Sequence, residues 1–278
     1  MYNVKGQNFN GECESMKILI SNDDGINAYG IAALASNLSK NHEVYIVAPD
    51  RERSAAGHSL TLHTPLRVDE IKPRYGAKRC WTTNGTPGDC VKIAINAILA
   101  PEEKPDIIIT GINHGPNLGS DILYSGTVSC AMEGAVMGFP SLAVSTCGLS
   151  FNENSFDYTA EFVSKFLPKV SEIKFPEKTI LNINVPGVPE HDITGVAITT
   201  LGTQMFTNEY QRRIDPRGKE YYWMAGELIT EAKNDTTDIN AVRWNKISIT
   251  PITFEMTNRS IIPSLENAFC KDGKSAWL

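Results

Sequence analysis

The chain of 278 residues has no apolar run long enough to span a membrane and no excess of basic charge. The first absence excludes a transmembrane helix. The second, with a formal net charge of -6, argues against a surface that tracks a nucleic-acid polymer. Small anionic substrates stay open, because local donors and cations hold them whatever the net charge. Six cysteines (Cys13, Cys80, Cys90, Cys130, Cys147 and Cys270) form no CxxC pair and no Cys/His metal spacing. Several lie in apolar or small-residue runs such as "TVSCAMEG", which reads as buried free thiols in a reducing compartment. Residues 1–15 are polar and lack an apolar signal core, so they read as a weakly ordered extension or leader, and the expected location is cytoplasmic.

Several catalytic signatures are missing too. There is no Gly-x-Ser-x-Gly elbow and no cysteine with an evident base, which removes support for covalent serine or cysteine catalysis. No Gly-Lys-Ser/Thr closes a Walker loop, and "GINAYG" fails the GxGxxG pattern, which weighs against a dinucleotide-dependent oxidoreductase. No internal repeat or low-complexity tract interrupts the chain.

What is present is an alternation. "KILIS", "EVYIVAP", "DIIITGI", "PSLAVST" and "TILNINVP" are strand-like, several near-continuously apolar, while "AYGIAALASNLSK" and "SFDYTAEFVSKFLPKV" carry helical spacing. Such strands alternating with helices predict a mainly parallel sheet covered on both faces, a Rossmann-like α/β/α sandwich over residues 16–186. "GTPGDCVKIAINAIL" predicts a helix start with Thr86 as N-cap, Pro87 first and Asp89 third. From residue 187 to 278 the helical periodicity fades into a β-rich segment, in which "SIIPSLENAF" reads as a terminal helix or arm.

Ligands of doubly wound sheets bind beyond the carboxyl ends of the strands. Three polar clusters fall there: "SNDDG", "PDRERSAAGHS" and "GINHGPNLGSDILYSGTVS". Asp23 and Asp24 are adjacent carboxylates that repel unless a cation or hydrogen bonds compensate, and hard divalent ions such as Mg²⁺ or Mn²⁺ take oxygen ligands of this kind. The competing reading is that one aspartate caps the next helix. Ser54, taken alone, reads as a turn or cap residue ahead of a ligand, and Arg51 and Arg53 as a solvated pair. The hydroxyls of Ser125 and Thr127, around Gly126, open a helix and suit an anion cradle or a plain cap. His58 and His114 lie in these loops and could assist proton transfer.

These stretches, with "VAPDRERSAAGHSLTL", "GTPGDCV" and "DPRGKEYYW", together resemble the SurE family of metal-dependent 5′/3′-nucleotidases, in order and spacing from Met16 to Pro251. The resemblance implies a Rossmann-like three-layer core and a C-terminal β segment exchanged between subunits of a dimer or tetramer. It implies one divalent cation, Mg²⁺ or Mn²⁺, on Asp23, Asp24, Ser54 and Asn113, with Asp23 and Asp24 also catalytic. Asn117, Ser125, Gly126 and Thr127 would lie against the substrate phosphate. The expected substrates are nucleoside 5′- and 3′-monophosphates and, in some members, polyphosphate. Trp244 and Asn245 stand where members commonly carry Gly-Tyr. A non-catalytic nucleotide sensor is the alternative use of the same site.

Overall fold

Apolar strands buried on both faces need helices above and below, and the alternation of their side chains shows which helix covers which face. The computed structural model describes residues 2–3, 15–148, 152–206, 209–225, 228–230, 236–271 and 274–275. Strand β1 (Lys17–Ser21) is followed by α1 (Tyr29–Leu38), β2 (Glu43–Pro49), β3 (Val68–Ile71), β4 (Arg79–Thr83) and α2 (Pro87–Ile93). Then come β5 (Ile107–His114), α3 (Gly126–Val136), β6 (Ser141–Cys147), α4 (Glu153–Ser171) and β7 (Thr179–Pro186). Ile18 and Ile20 of β1 pack into one core with Ile31 and Leu34 of α1 and Phe156 and Val163 of α4. Leu19, between them, joins Val91 of α2 and Cys130 of α3 on the opposite face. The period-2 alternation of one strand therefore feeds two cores, and the three layers predicted from sequence are present.

The later strands extend this sheet. β8 (Gly195–Ile198) and β11 (Lys246–Thr253) give a nine-stranded order β8-β11-β7-β6-β5-β1-β2-β4-β3. Six neighbours, β7 through β4, run parallel, whereas β11 pairs antiparallel to β7 and β3 antiparallel to β4. The hairpin β9 (Tyr210–Ile214) and β10 (Glu220–Met224) stands apart as its own pair, and α5 (Asp238–Arg243) and α6 (Ile262–Phe269) complete the described chain. Of "SIIPSLENAF", expected as a terminal helix or arm, Ile262–Phe269 is helical. From β1 the chain moves outward to β2 on one side and later returns to β5 on the other. The switch point therefore lies between β1 and β5.

Tyr2–Asn3 pair antiparallel with Lys174–Phe175, while residues 4–14, most of the expected leader, lie outside the described residues. Cys80, Cys90 and Cys130 are buried free thiols as expected, but Cys270 is exposed. Among the described residues no helix is long and apolar enough to cross a membrane.

Close contact across the switch point depends on a missing side chain. A Cβ on Gly30, in the first turn of α1, would lie 1.9 Å from the carbonyl oxygen of Ile112 in β5. That overlap is with backbone and cannot be relieved by a rotamer change. Gly30→Ala should destabilise the fold by about 1–3 kcal/mol or more, read as a lower urea midpoint with unchanged slope; a midpoint equal to that of the native chain would contradict the contact.

Candidate active site

At the switch point the loops after β1, β2 and β5 meet around an open cleft of about 390 Å³. Asp23, Asp24, Glu52, Ser54, Asn113, His114, Asn117, Asp121, Tyr124 and Ser125 are among its walls. All four residues of the expected cation set are here, from three separate segments. Four wall residues are carboxylates, and among the described residues no lysine or arginine lines the cleft.

The first loop is shaped by Asn22, which sequence reasoning passed over. Its buried side chain accepts from Gly25 N–H (3.1 Å) and donates to Gly25 C=O (3.0 Å), closing a tight turn that Gly25 completes at φ +96°. The turn is tied to the next loop by Arg53 N–H donating to Asp23 C=O (2.7 Å). Asp23 is held from the opposite side by α3: Thr127 Oγ1 donates to Asp23 Oδ1 (2.5 Å), and the Thr127 amide also bonds this carboxylate. A Cβ on Gly126 would come within 2.6 Å of the Asp23 side chain. The N-terminus of α3 thus receives an anion, and that anion is Asp23.

This sharpens the expectation for the "SGT" stretch. Thr127 is fully buried and absent from the cleft walls, and Gly126 is packed onto Asp23, so these two are placed behind the aspartate. Ser125 does reach the cleft. Its Oγ accepts from Val128 N–H (3.1 Å) as the cap of α3, which leaves its own O–H to donate. Asn117 also reaches the cleft, with Nδ2 donating to Ser145 Oγ (2.8 Å) and its carbonyl accepting from both Asn182 and Asn184. Asn113 donates through Nδ2 to the Gly115 carbonyl (2.9 Å), so Oδ1 is the atom left for a cation.

Electrostatics set the pair apart. Burial pushes the Asp23 carboxyl above its ordinary range against the pull of its hydrogen bonds. Asp24 is pushed up to about 6, first by burial and then by the charge of Asp23; His114 N–H donates to it at a long 3.4 Å. Among the described residues no three His, Cys, Asp or Glu side chains converge on a metal position. Ser54 and Asn113 offer neutral oxygens on the same cleft as the two aspartates.

The Ser54 loop is fastened at several points. Ser54 Oγ donates to Glu52 (2.7 Å), Gly57 N–H donates to Tyr124 C=O (3.1 Å), and Ser129 Oγ donates to Gly57 C=O (2.8 Å). Thr86 and Asp89 form the predicted capping box of α2 and also hold Ser59 and Thr61 of this loop. His58 does not enter the cleft. It bonds the buried Glu133 (3.0 Å), which also pairs with Lys92 (2.7 Å). Arg51 and Arg53 bind Asp50 and the Asn84 carbonyl and are not among the cleft walls. Glu52, Asp121, Glu133 and Asn22 escaped sequence reasoning.

Residues 18–208 match the family model described as survival protein SurE. The chain belongs to the SurE family. Among similar curated proteins, the 5′-nucleotidase SurE of Thermosynechococcus vestitus is 48% identical over 248 residues, 87% of this chain and 92% of that protein. The 5′-nucleotidase SurE of Carboxydothermus hydrogenoformans is 45% identical over 253 residues, 90% and 95% respectively. The crystal structure of the SurE protein from Aquifex aeolicus superposes with a TM-score of 0.78 at 39% identity, covering 90% of this chain and 98% of that one. The α/β sandwich described above is therefore the SurE fold.

The raised Asp24 has a consequence for stability. Its ordinary value is 3.8 and its folded value about 6, so the folded chain binds more protons than the unfolded one between those pH values. In chelator, stability should therefore fall as pH rises from about 4 through 6 and level off above, by up to about 3 kcal/mol. Asp24→Asn should remove this component, and Mn²⁺ should restore stability to the native chain at pH 7. Parallel pH profiles for the two proteins in urea unfolding would disprove it.

Proposed function

We propose that this cleft hydrolyses nucleoside monophosphates to nucleoside and phosphate with a single divalent cation, Mg²⁺ or Mn²⁺, held by Asp23, Asp24, Ser54 and Asn113. One observation carries the reading: a cleft at the switch point walled by four carboxylates and, among the described residues, no lysine or arginine. A phosphate dianion is repelled from such a surface unless a cation lies between them. The donors that reach the cleft are hard oxygens, the chemistry that Mg²⁺ and Mn²⁺ prefer. A cation there supplies positive charge to the phosphoryl oxygens and acidifies water for attack.

The chain's own residues do the rest. The α3 terminus and Thr127 orient Asp23 and offset part of the cost of burying its charge. Ser125 O–H and the second amide hydrogen of Asn117 donate to the phosphoryl group as its charge rearranges. The relatives' name, 5′-nucleotidase, supplies the organic half of the substrate; 3′-monophosphates and polyphosphate follow from the family resemblance. We also read the exposed apolar hairpin, with Tyr222, Trp223 and Met224 at 57%, 60% and 74% exposure, as a surface that meets another copy of the chain.

Phosphate release from AMP and GMP with Mn²⁺ should stop on adding chelator. Asp23→Asn should lower cation affinity and turnover at least about 100-fold; release that ignores both treatments overturns the reading, and nucleotide binding without release identifies a sensor. Light scattering on a Tyr222→Asp, Trp223→Asp variant should report a smaller particle than the native chain, and equal masses would dismiss the hairpin as an interface.

A further inference from the structure

Asp238, the first residue of α5, is fully buried, yet it lies outside the cleft and beyond the matched residues 18–208. Its Oδ2 accepts from Gly119 N–H (2.8 Å), and Oδ1 accepts from Gly202 N–H (2.8 Å) and Ile239 N–H (2.9 Å). A buried carboxylate is costly unless its lone pairs are satisfied, and here backbone donors from three places in the chain satisfy it. The packing is equally tight. Gly119 adopts φ +53°, and a Cβ there would lie 2.8 Å from the Gly202 carbonyl oxygen. A Cβ on Gly202 would meet Ile239 at 2.6 Å.

Gly119 opens the short helical turn Gly119–Leu123, two residues after Asn117 and two before Asp121, both cleft walls. The same turn leads to Tyr124 and to Ser125, the cap of α3. We propose that Asp238 is a positioning residue for the reaction: through the Gly119 amide it holds the 117–125 loop so that Asn117 and Ser125 meet the phosphoryl group. The inference rests on the phosphomonoesterase reading above. Asn113 and Asp23 are anchored elsewhere, and the Ser54 loop meets this segment at its far end, where Gly57 N–H donates to the Tyr124 carbonyl. Asn113 lies in register with Ser145 of β6, Gly115 N–H donates to the Thr146 carbonyl, and Asp23 is held by Thr127. Asp238 therefore acts on substrate geometry and leaves cation affinity alone.

Asp238→Asn keeps the shape but turns an amide NH₂ toward backbone donors. It should lower kcat/KM for AMP at least 10-fold, while the Mn²⁺ dissociation constant from calorimetry stays within about twofold of native. Hydrogen exchange in the 117–123 segment should accelerate. Gly119→Ala opens the same junction from the other side and should reproduce both effects. The double variant should lose no more than the worse single one, because both substitutions break one contact. If Asp238→Asn fails to fold, Gly119→Ala decides alone. Native kcat and KM in the folded fraction with a lower melting temperature would make Asp238 merely structural, and a parallel loss of Mn²⁺ affinity would place its action on the cation donors; either overturns the proposal. Should the native chain release no phosphate, the functional reading fails, and exchange in 117–123 still decides whether Asp238 holds the loop.

Discussion

The buried carboxylate of Asp23 is the constraint around which the site is arranged. It lies two residues beyond an apolar strand, is 4% exposed, and is followed at once by a second aspartate. Neither charge is tolerable there without compensation. The fold answers with the N-terminus of α3, the Thr127 hydroxyl and a glycine that lets helix and carboxylate approach within van der Waals range. This answer satisfies one aspartate. Asp24 keeps a distant amide donor and a pKa near 6, so the electrostatic demand that remains is concentrated at the cleft surface.

That residual demand explains the loops. Each segment bearing a proposed cation or phosphate contact is tied to another element by bonds unrelated to either ligand. The Ser54 loop is fixed to α2 and α3 through Thr86, Asp89, Ser129 and the His58–Glu133–Lys92 chain. The Asn117 loop is fixed to β7 through Asn182 and Asn184 and to α5 through Asp238. Oxygen ligands presented on loops are useful only when the loops are held, because donors must be in place before the charge arrives.

The parts legible in sequence were those governed by local rules. Near-continuous apolar runs showed the parallel sheet, and the Thr86-Pro87-Asp89 order showed the capping box. Three polar loops at strand ends showed where to look. What stayed hidden depends on contacts between distant segments. Thr127 and Asp23 are 104 positions apart, so the hydroxyl read as a phosphate contact when its proton goes to a carboxylate. Glu133 in "SCAMEGAV" and Asp238 in "TTDIN" look like a surface acid and a helix cap. Their burial appears only when α3 meets α2 and α5 meets the active-site loop.

The helix terminus at α3 illustrates why a motif and its chemistry need separate arguments. A small-residue turn opening a helix is an anion site by construction, and the sequence invited a phosphate into it. The structure fills that position with the protein's own anion. A substrate phosphate must then approach from the open side, across Asp23 and Asp24, where two negative charges oppose it. The same geometry that stabilises Asp23 thus supports the proposal that a cation is the condition for phosphate entry, with Ser125 and Asn117 proposed, among the neutral groups on the cleft wall, to recognise what the cation brings in.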